Sequence, residues 1–228
     1  MPLTARRVKA PIPKYLSETY AWAYLSRKNA CLLDRDAVVN AILLGNHRRL
    51  REAALSEVVE GQRVLQAAHV YGRLIPELAR RVGPSGQLDV IDIVPLQVAL
   101  CRRKLRGYSQ TRVWIADARD LGGDTYNVVN CFFLLHEIPD QDKGPVVDAL
   151  LARVAPGGKA IFIDYHGPVV QNPLRHFYRR LFDRFEPFAR TMWDREVREF
   201  SKEAHRFRWK KTTMFGGVFQ KTIAHSRN

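Results

Sequence analysis

The chain has 228 residues, 46% of them hydrophobic and 26% charged, which is enough apolar material for one sizeable core and excludes a disordered or collagen-like polypeptide. Its formal net charge is +14, from 37 basic and 23 acidic residues; that balance favours an anionic partner such as nucleic acid, an acidic membrane surface or an acidic substrate. Three cysteines with no CxxC or His/Cys cluster exclude a disulfide scaffold and a zinc site, and Cys31, Cys101 and Cys131 are expected to be free buried thiols in a reducing compartment.

In chain order, residues 1–13 read as a basic, Pro-containing arm with no apolar core of the secretory type. Residues 14–60 read as helices. Tyr15–Asn29 is aromatic-rich, and Val38, Val39, Ile42, Leu43, Leu50 and Leu55 fall at helical spacing with an interruption at Gly45-Asn46. From residue 61 the pattern changes. The spacing predicts a strand over 63–68, a helix over 75–82 ended by Gly83-Pro84, and a strand over 87–93. A helix over 96–105, strands over 112–115 and 127–133, and a helix over 143–154 stopped by Pro156-Gly157-Gly158 follow, then a strand over 159–164. No apolar run approaches the roughly 20 residues of a membrane span. Short apolar strands alternating with helices imply βαβ units and a mostly parallel sheet covered on both faces. Residues 168–206 break this alternation as a basic, aromatic helical cover. Residues 209–224 then read as two strands around Gly216-Gly217, a late antiparallel hairpin. The expected organisation is a 1–60 arm and helices, which pack or act as a lid, followed by an α/β domain over 61–228.

In an open α/β sheet, ligands sit beyond the carboxyl ends of the strands, where the strand order reverses. The first strand and turn read Val64-Leu65-Gln66-Ala67-Ala68-His69-Val70-Tyr71-Gly72. Asp92 ends the second strand, 20 positions after Gly72, where a carboxylate suits a ribose diol. Asp117, in Ala116-Asp117-Ala118, follows the third strand, where a carboxylate or backbone amide could read an adenine edge. Taken singly, Asp92 is equally a helix cap and Asp117 a turn former; their order along the chain favours a nucleoside cofactor.

From about Val64 onward the sequence resembles class I S-adenosylmethionine-dependent methyltransferases, especially the ubiquinone/menaquinone C-methyltransferase branch, in Gln87–Ile93, RVAPGGKAIFIDY and Phe215-Gly216-Gly217-Val218. Over nearly the whole chain it resembles the rhodoquinone-biosynthesis (RquA) family, in YLSETYAWAYL, VVNAILLGNHRRL, VLQAAHVYG, LDVIDIVPLQV, CFFLLHEIP, DYHGPVVQNPLR and FEPFA. The resemblance implies a Rossmann-like fold with a seven-stranded sheet. It implies S-adenosylmethionine as cofactor, with contacts from Gln66, Ala68, Tyr71, Gly72, Asp92, Ile93, Asp117, Ala118 and Phe133. It also implies replacement of a ubiquinone methoxy group by an amino group, assisted by manganese (Mn2+), in a cytoplasmic protein peripheral to the inner, or mitochondrial inner, membrane. Conventional quinone methylation is the alternative. The loop departs from the methyltransferase pattern at Gln66, Ala68 and Val70, and from the rhodoquinone family at His69 and Arg73, where that family carries a cysteine and an acidic residue.

For the reacting half of the site, His136-Glu137 follows the fourth strand of the domain. His136 is a candidate acid or base, because imidazole titrates near neutrality; the bland alternative has His136 bonded to backbone and Glu137 solvated. Asp164-Tyr165-His166 ends the next strand, and alternation allows Asp164 and His166 to share one face and a quinone oxygen or a metal. Tyr71 could stack on the cofactor or bond a substrate carbonyl. Tyr20, Trp22 and Tyr24 are candidates for a lid, at least one of them for the core. In the cover, Leu174, Phe177, Leu181, Phe185 and Phe188 form an apolar stripe beside Arg175, Arg179, Arg180, Arg184 and Arg190. That stripe suits an isoprenoid tail at an anionic membrane, or packing on its own domain. No zinc finger, RNA-recognition signature or base-methylation motif speaks for nucleic acid. A fold that has kept its shape and lost its chemistry is a third reading, supported by Arg73. The oligomeric state is left open.

Overall fold

Strands β1 (Arg63–Ala67), β2 (Gln87–Asp92), β4 (Tyr126–Phe132) and β5 (Val154–Tyr165) read as near-continuous apolar runs because both of their faces are covered. In this computed structural model, which describes residues 12–169, 179–180, 182 and 186–227, they join β3 (Thr111–Ile115), β6 (Phe207–Met214) and β7 (Phe219–Ser226) in one seven-stranded sheet. The order is β3-β2-β1-β4-β5-β7-β6. The first five of these are parallel; β7 runs antiparallel to β5, and β6 antiparallel to β7.

Alternation sorts the side chains into two core layers. Val64, Leu88, Val90, Val128 and Ile161 pack with α5 (His47–Leu55) and α6 (Leu74–Val82). Leu65, Ile91, Val129, Ala160 and Phe162 pack on the other face with α8 (Asp140–Leu151). Helix α7 (Pro95–Lys104) bridges β2 and β3. The strand order reverses between β1 and β4, so their carboxyl ends open a crevice there. Over that crevice lie α1 (Lys14–Glu18), α2 (Ala21–Tyr24), α3 (Arg27–Leu33) and α4 (Asp36–Ile42).

The expected interruption at Gly45-Asn46 separates α4 from α5: Leu44 and Gly45 both have positive φ, 52° and 79°. The predicted helix over 143–154 instead runs Asp140–Leu151, with Asp140 and Asp142 in its first turn, where negative charge is favoured. Pro156-Gly157-Gly158 does not precede the fifth strand but lies inside it. A register irregularity against Tyr126–Val128 and a φ of +71° at Gly157 absorb the turn. Cys101 and Cys131 are buried free thiols as expected, but Cys31 is exposed on α3. In the cover, Leu174, Phe177, Leu181, Phe185, Arg175 and Arg184 lie outside the described residues. Phe188 packs on Leu16, Tyr20 and Val94, and Phe182 on Tyr165 and Trp193, so this part of the cover closes on its own domain. Arg179, Arg180 and Arg190 are exposed.

Candidate active site

The crevice is a cavity of about 520 Å³. One end is walled by Ala68, His69, Tyr71, Asp92, Ile93, Asp117 and Ala118; the other by Phe133, His136, Glu137, Tyr165 and Glu186; Tyr15, Tyr20, Trp22 and Tyr24 close it from above. The alternation of strand and loop therefore brings Ala68, Tyr71, Asp92, Ile93, Asp117, Ala118, Phe133 and His136 to one space. Gln66, Gly72, Asp164 and His166 are not among the lining residues.

At the first end, Asp92 is 8% exposed. Its Oδ2 accepts from the His69 amide at 2.9 Å and its Oδ1 from the Val94 amide at 2.8 Å. Burial raises its pKa to about 6, against the lowering effect of those amides. Each oxygen keeps a lone pair for a hydroxyl. Asp117 is not free to read a nucleobase with its carboxylate, because Arg119 grips both oxygens, at 3.0 and 2.6 Å to Oδ2. The Asp117 carbonyl accepts from the Asp120 amide at 3.1 Å.

Gln66 is fully buried and turned into the protein. Its Nε2 donates to the carbonyls of Ala67 and Ala68, at 2.9 and 3.1 Å, and its Oε1 accepts from Asn130 Nδ2 at 2.6 Å. It shapes the loop from behind. Ala68 holds φ at +65°, a conformation a glycine would adopt at ease and an alanine adopts at a cost of about 1–2 kcal/mol. Gly72 packs under His47, which a Cβ would meet at 2.6 Å, and its amide donates to Asp34 Oδ1 at 3.0 Å. Lys104 bonds the same aspartate and the Gly72 carbonyl, so the N-terminal helices clamp the loop.

At the second end, a 3-10 turn (Leu135–Glu137) after β4 presents His136, 4% exposed. Asp164, at the end of β5, accepts from its Nδ1 at 2.8 Å and from the Leu135 amide at 2.9 Å. The imidazole Nε2 then faces Glu137 Oε1 at 3.7 Å and Glu186 Oε2 at 3.8 Å. Burial alone would lower the His136 pKa, but the charge and hydrogen bond of Asp164, with the two glutamates, push it up to about 9. Burial raises Glu137 to about 8 despite the imidazolium beside it, and also raises Glu186. Tyr24 donates to Glu137 and Tyr20 to Glu186, the latter at 3.0 Å. Glu137 is thus no solvated carboxylate.

Sequence reasoning treats Asp164 and His166 as a pair on one face, and the structure separates them. The strand ends at Tyr165, and His166 Nδ1 turns to the Gly217 carbonyl at 2.9 Å, in the hairpin turn. Asp164 pairs instead with His136. Glu186 and Gln97 escaped sequence reasoning, and Tyr24, a lid candidate, also donates to Glu137. Glu186 belongs to the cover, brought in only by tertiary packing, and Gln97 is one polar position on an otherwise ordinary helix. No group of three or more His, Cys, Asp or Glu among the described residues is arranged to hold a metal ion. Arg73, at the position where the rhodoquinone family carries an acidic residue, reaches Asp36 at 3.5 Å. The described residues do not fit manganese.

Residues 64–158 match the family described as "Methyltransferase domain". A ubiquinone/menaquinone biosynthesis C-methyltransferase UbiE from Idiomarina loihiensis is 30% identical over 152 residues, covering 63% of this chain and 60% of that protein. The chain spans about three fifths or less of the curated relatives it matches, 55% in the Pasteurella multocida protein. Among solved structures, an O-methyltransferase family protein from Burkholderia thailandensis superposes with a TM-score of 0.65 over 96% of this chain and 65% of that one, at 13% identity. Human N-acetylserotonin methyltransferase, solved in complex with SAM, gives 0.62 over 95% and 61%, at 15% identity. The fold is the Rossmann-like methyltransferase fold.

Proposed function

We propose that the chain is an S-adenosylmethionine-dependent transferase acting on the ring of a ubiquinone-like lipid, and that it replaces a ring methoxy group with an amino group. The observation that carries the reading is the two-ended cavity. A nucleoside-type end with a buried carboxylate, Asp92, opens directly on an aromatic end where His136 is held by Asp164. The similarity to quinone-biosynthesis methyltransferases supports the substrate class, and the rewritten loop supports a reaction other than plain methylation.

S-adenosylmethionine would supply a sulfonium-activated methyl group for methylation, or an amino nitrogen for the exchange. In the exchange the ring methoxy leaves as methanol, water supplies the oxygen that turns the amino acid's α-carbon into the carbonyl of a 2-oxo acid, and the quinone takes up the two electrons to become the aminoquinol. Asp92 accepts from the ribose hydroxyls, while Ile93 and Ala118 give apolar walls for the adenine; the Phe133 ring, edge-on to His136 and Tyr165, belongs to the reacting end. Tyr71 donates to the Ala23 carbonyl at 2.8 Å and stacks on Tyr24, so it fixes the lid rather than offering its proton to substrate. The protonated His136 Nε2 is placed to donate to a ring oxygen and to take the proton back, with Asp164 holding the ring in one orientation. No step is routed through manganese. A second reading, ring methylation, is favoured by the absence of a metal-holding group among the described residues.

The test is incubation with a short-tail ubiquinone and S-adenosylmethionine, with and without manganese, followed by mass spectrometry of the quinone. A product with methoxy exchanged for amino is expected. An added methyl group establishes the second reading, and an unmodified quinone in every arm overturns both.

No helix among the described residues is long and apolar enough to cross a membrane. The cavity mouth nevertheless carries Trp22 on α2, Ile42 on α4 and Leu44 in the turn after it, 58%, 52% and 40% exposed, and Arg27, Lys28, Arg35, Arg48 and Arg49 are exposed on neighbouring segments of the same N-terminal region. Together with Arg179, Arg180 and Arg190 this suits an anionic bilayer from which a lipid tail enters. The protein is expected to sediment with anionic vesicles and to be released as salt is raised. Equal binding to neutral vesicles, or indifference to salt, counts against a membrane surface.

A further inference from the structure

His69 and His136 stand at opposite ends of the cavity, each with its Nδ1 on an oxygen acceptor, and the two acceptors differ in charge. Asp164 keeps His136 protonated, whereas His69 faces a neutral amide, Gln97. The tautomer of His69 follows from a chain of bonds that begins at a group able only to accept. The Tyr24 carbonyl needs a donor, so Gln97 Nε2 lies against it, at 2.9 Å. The same Nε2 gives its second hydrogen to Tyr71 Oη at 3.0 Å, and Tyr71 passes its own hydrogen to the Ala23 carbonyl. The Gln97 amide cannot be flipped without setting two acceptors against each other. Its Oε1 therefore faces His69 Nδ1, at 2.9 Å, and Nδ1 carries the hydrogen. His69 Nε2 is then a bare lone pair.

That lone pair is buried and without a partner. His69 is 4% exposed and lines the cavity. Burial, and then the neighbouring Lys104 ammonium, push its pKa down to about 3, so the ring stays neutral and Nε2 does not become a donor at any ordinary pH. A buried acceptor without a donor is costly, which makes it a place where a ligand gains by supplying one. The His69 amide is bonded to Asp92, so a second acceptor, a carboxylate, flanks the same end of the cavity. Two acceptor residues at one end of the cavity, tied together through the His69 amide, suit a ligand with two adjacent donors.

We infer that His69 Nε2 accepts a hydrogen bond from one ribose hydroxyl of the adenosyl ligand while Asp92 accepts from the other. This rests on the cofactor reading above and deepens it: the vicinal diol is read by a neutral lone pair and a carboxylate together. The pairing stands where the loop carries an imidazole between Ala68 and Val70, and Gln97 on α7 is the positioning residue that keeps the imidazole in the accepting tautomer.

The experiment uses the full chain with S-adenosylhomocysteine and, separately, with 5′-methylthioadenosine, which keeps the ribose diol and lacks the amino-acid end. Imidazole 15N resonances of the wild-type protein should show Nδ1 protonated and Nε2 bare in the free state. Both ligands should move the Nε2 resonance in the direction of an accepted hydrogen bond. By calorimetry, His69→Phe should weaken both ligands about tenfold, the loss of one net hydrogen bond. A protonated Nε2 in the free protein overturns the inference, as does an Nε2 that neither ligand moves, which would mean a water partner. Movement with S-adenosylhomocysteine alone also overturns it, because the donor is then the ammonium. If the wild-type protein binds neither ligand, the cofactor reading itself falls; if it binds both while Nε2 stays still, only the role of His69 falls. The resonance measurement needs no variant, so a His69→Phe protein that does not fold leaves the inference decidable.

Discussion

Asp164→Asn is expected to reduce turnover by about 10²–10⁴-fold while changing cofactor affinity little, because it disables the proton-transfer end of the cavity and leaves the nucleoside end intact. The carboxylate of Asp164 accepts from His136 Nδ1, from the Leu135 amide and from the Tyr165 amide, so an asparagine must present an NH2 group to donors already committed. The measurement that separates loss of positioning from simple destabilisation is the pH profile. On the proposed reading His136 acts in its protonated form, so the wild-type rate should fall as pH rises through about 9. Without the aspartate charge, burial prevails and the fall should move down past the ordinary histidine value of 6.5. A variant with lower turnover and an unmoved profile would place the effect in folding and not in His136.

The same groups give the fold a pH signature with a defined sign. The folded-state pKa of His136 lies above its unfolded value, so its contribution to stability is complete below 6.5 and is lost as pH rises through about 9. Glu137 is also raised, from 4.5 to about 8, and its contribution likewise disappears with rising pH. Stability of the wild type should therefore decline from about pH 4.5, where the Glu137 contribution begins to be lost, to about 9, where that of His136 is gone.

The sheet was legible in the sequence because its strands are short apolar runs separated by helix stops, a pattern that double-sided burial imposes. The Asp92 end of the cavity was legible for a related reason: Asp92 and Ala116-Asp117-Ala118 lie at strand ends, and strand ends in such a sheet converge. The reacting end was only half legible. His136 and Asp164 each stood out, but their partnership depends on β4 and β5 being neighbours, with Phe132 paired to Ile163. His166 was misplaced because strand alternation was extended one residue past the end of β5 at Tyr165. Glu186 and Gln97 left no local signal, since each gains its meaning from segments distant in sequence: Tyr20 for Glu186, and Tyr24 and His69 for Gln97. The resemblance implies a cofactor contact at Gln66, but a position in the loop does not fix where a side chain points, and this one turns inward.

Gln66→Glu tests the inward reading and is expected to destabilise the protein by roughly 3 kcal/mol, lowering Tm by about 6–12 °C for a chain of this size. The change is nearly isosteric, so packing is preserved and only hydrogen-bond polarity reverses. The Nε2 that donates to the Ala67 and Ala68 carbonyls becomes an oxygen facing two oxygens, and the residue is fully buried with only Asn130 Nδ2 left to donate to it. The new carboxyl should hold its proton well above the usual range, since a protonated acid is neutral and can still donate one hydrogen bond. The loss of stability should accordingly be small at acidic pH and grow as pH rises. Ala68→Gly should act in the opposite direction, adding about 1 kcal/mol by relieving the positive φ at that residue. The two local effects together explain why restoring the methyltransferase pattern with Gln66→Asp, Ala68→Gly and Val70→Gly is expected to lower the native reaction. The amide of Gln66 is what ties the loop down, and a glycine at 68 relaxes strain without replacing that tie. A Gln66→Glu protein with the wild-type Tm, or a triple variant that makes the same product faster, would show that the loop is not adapted around this amide.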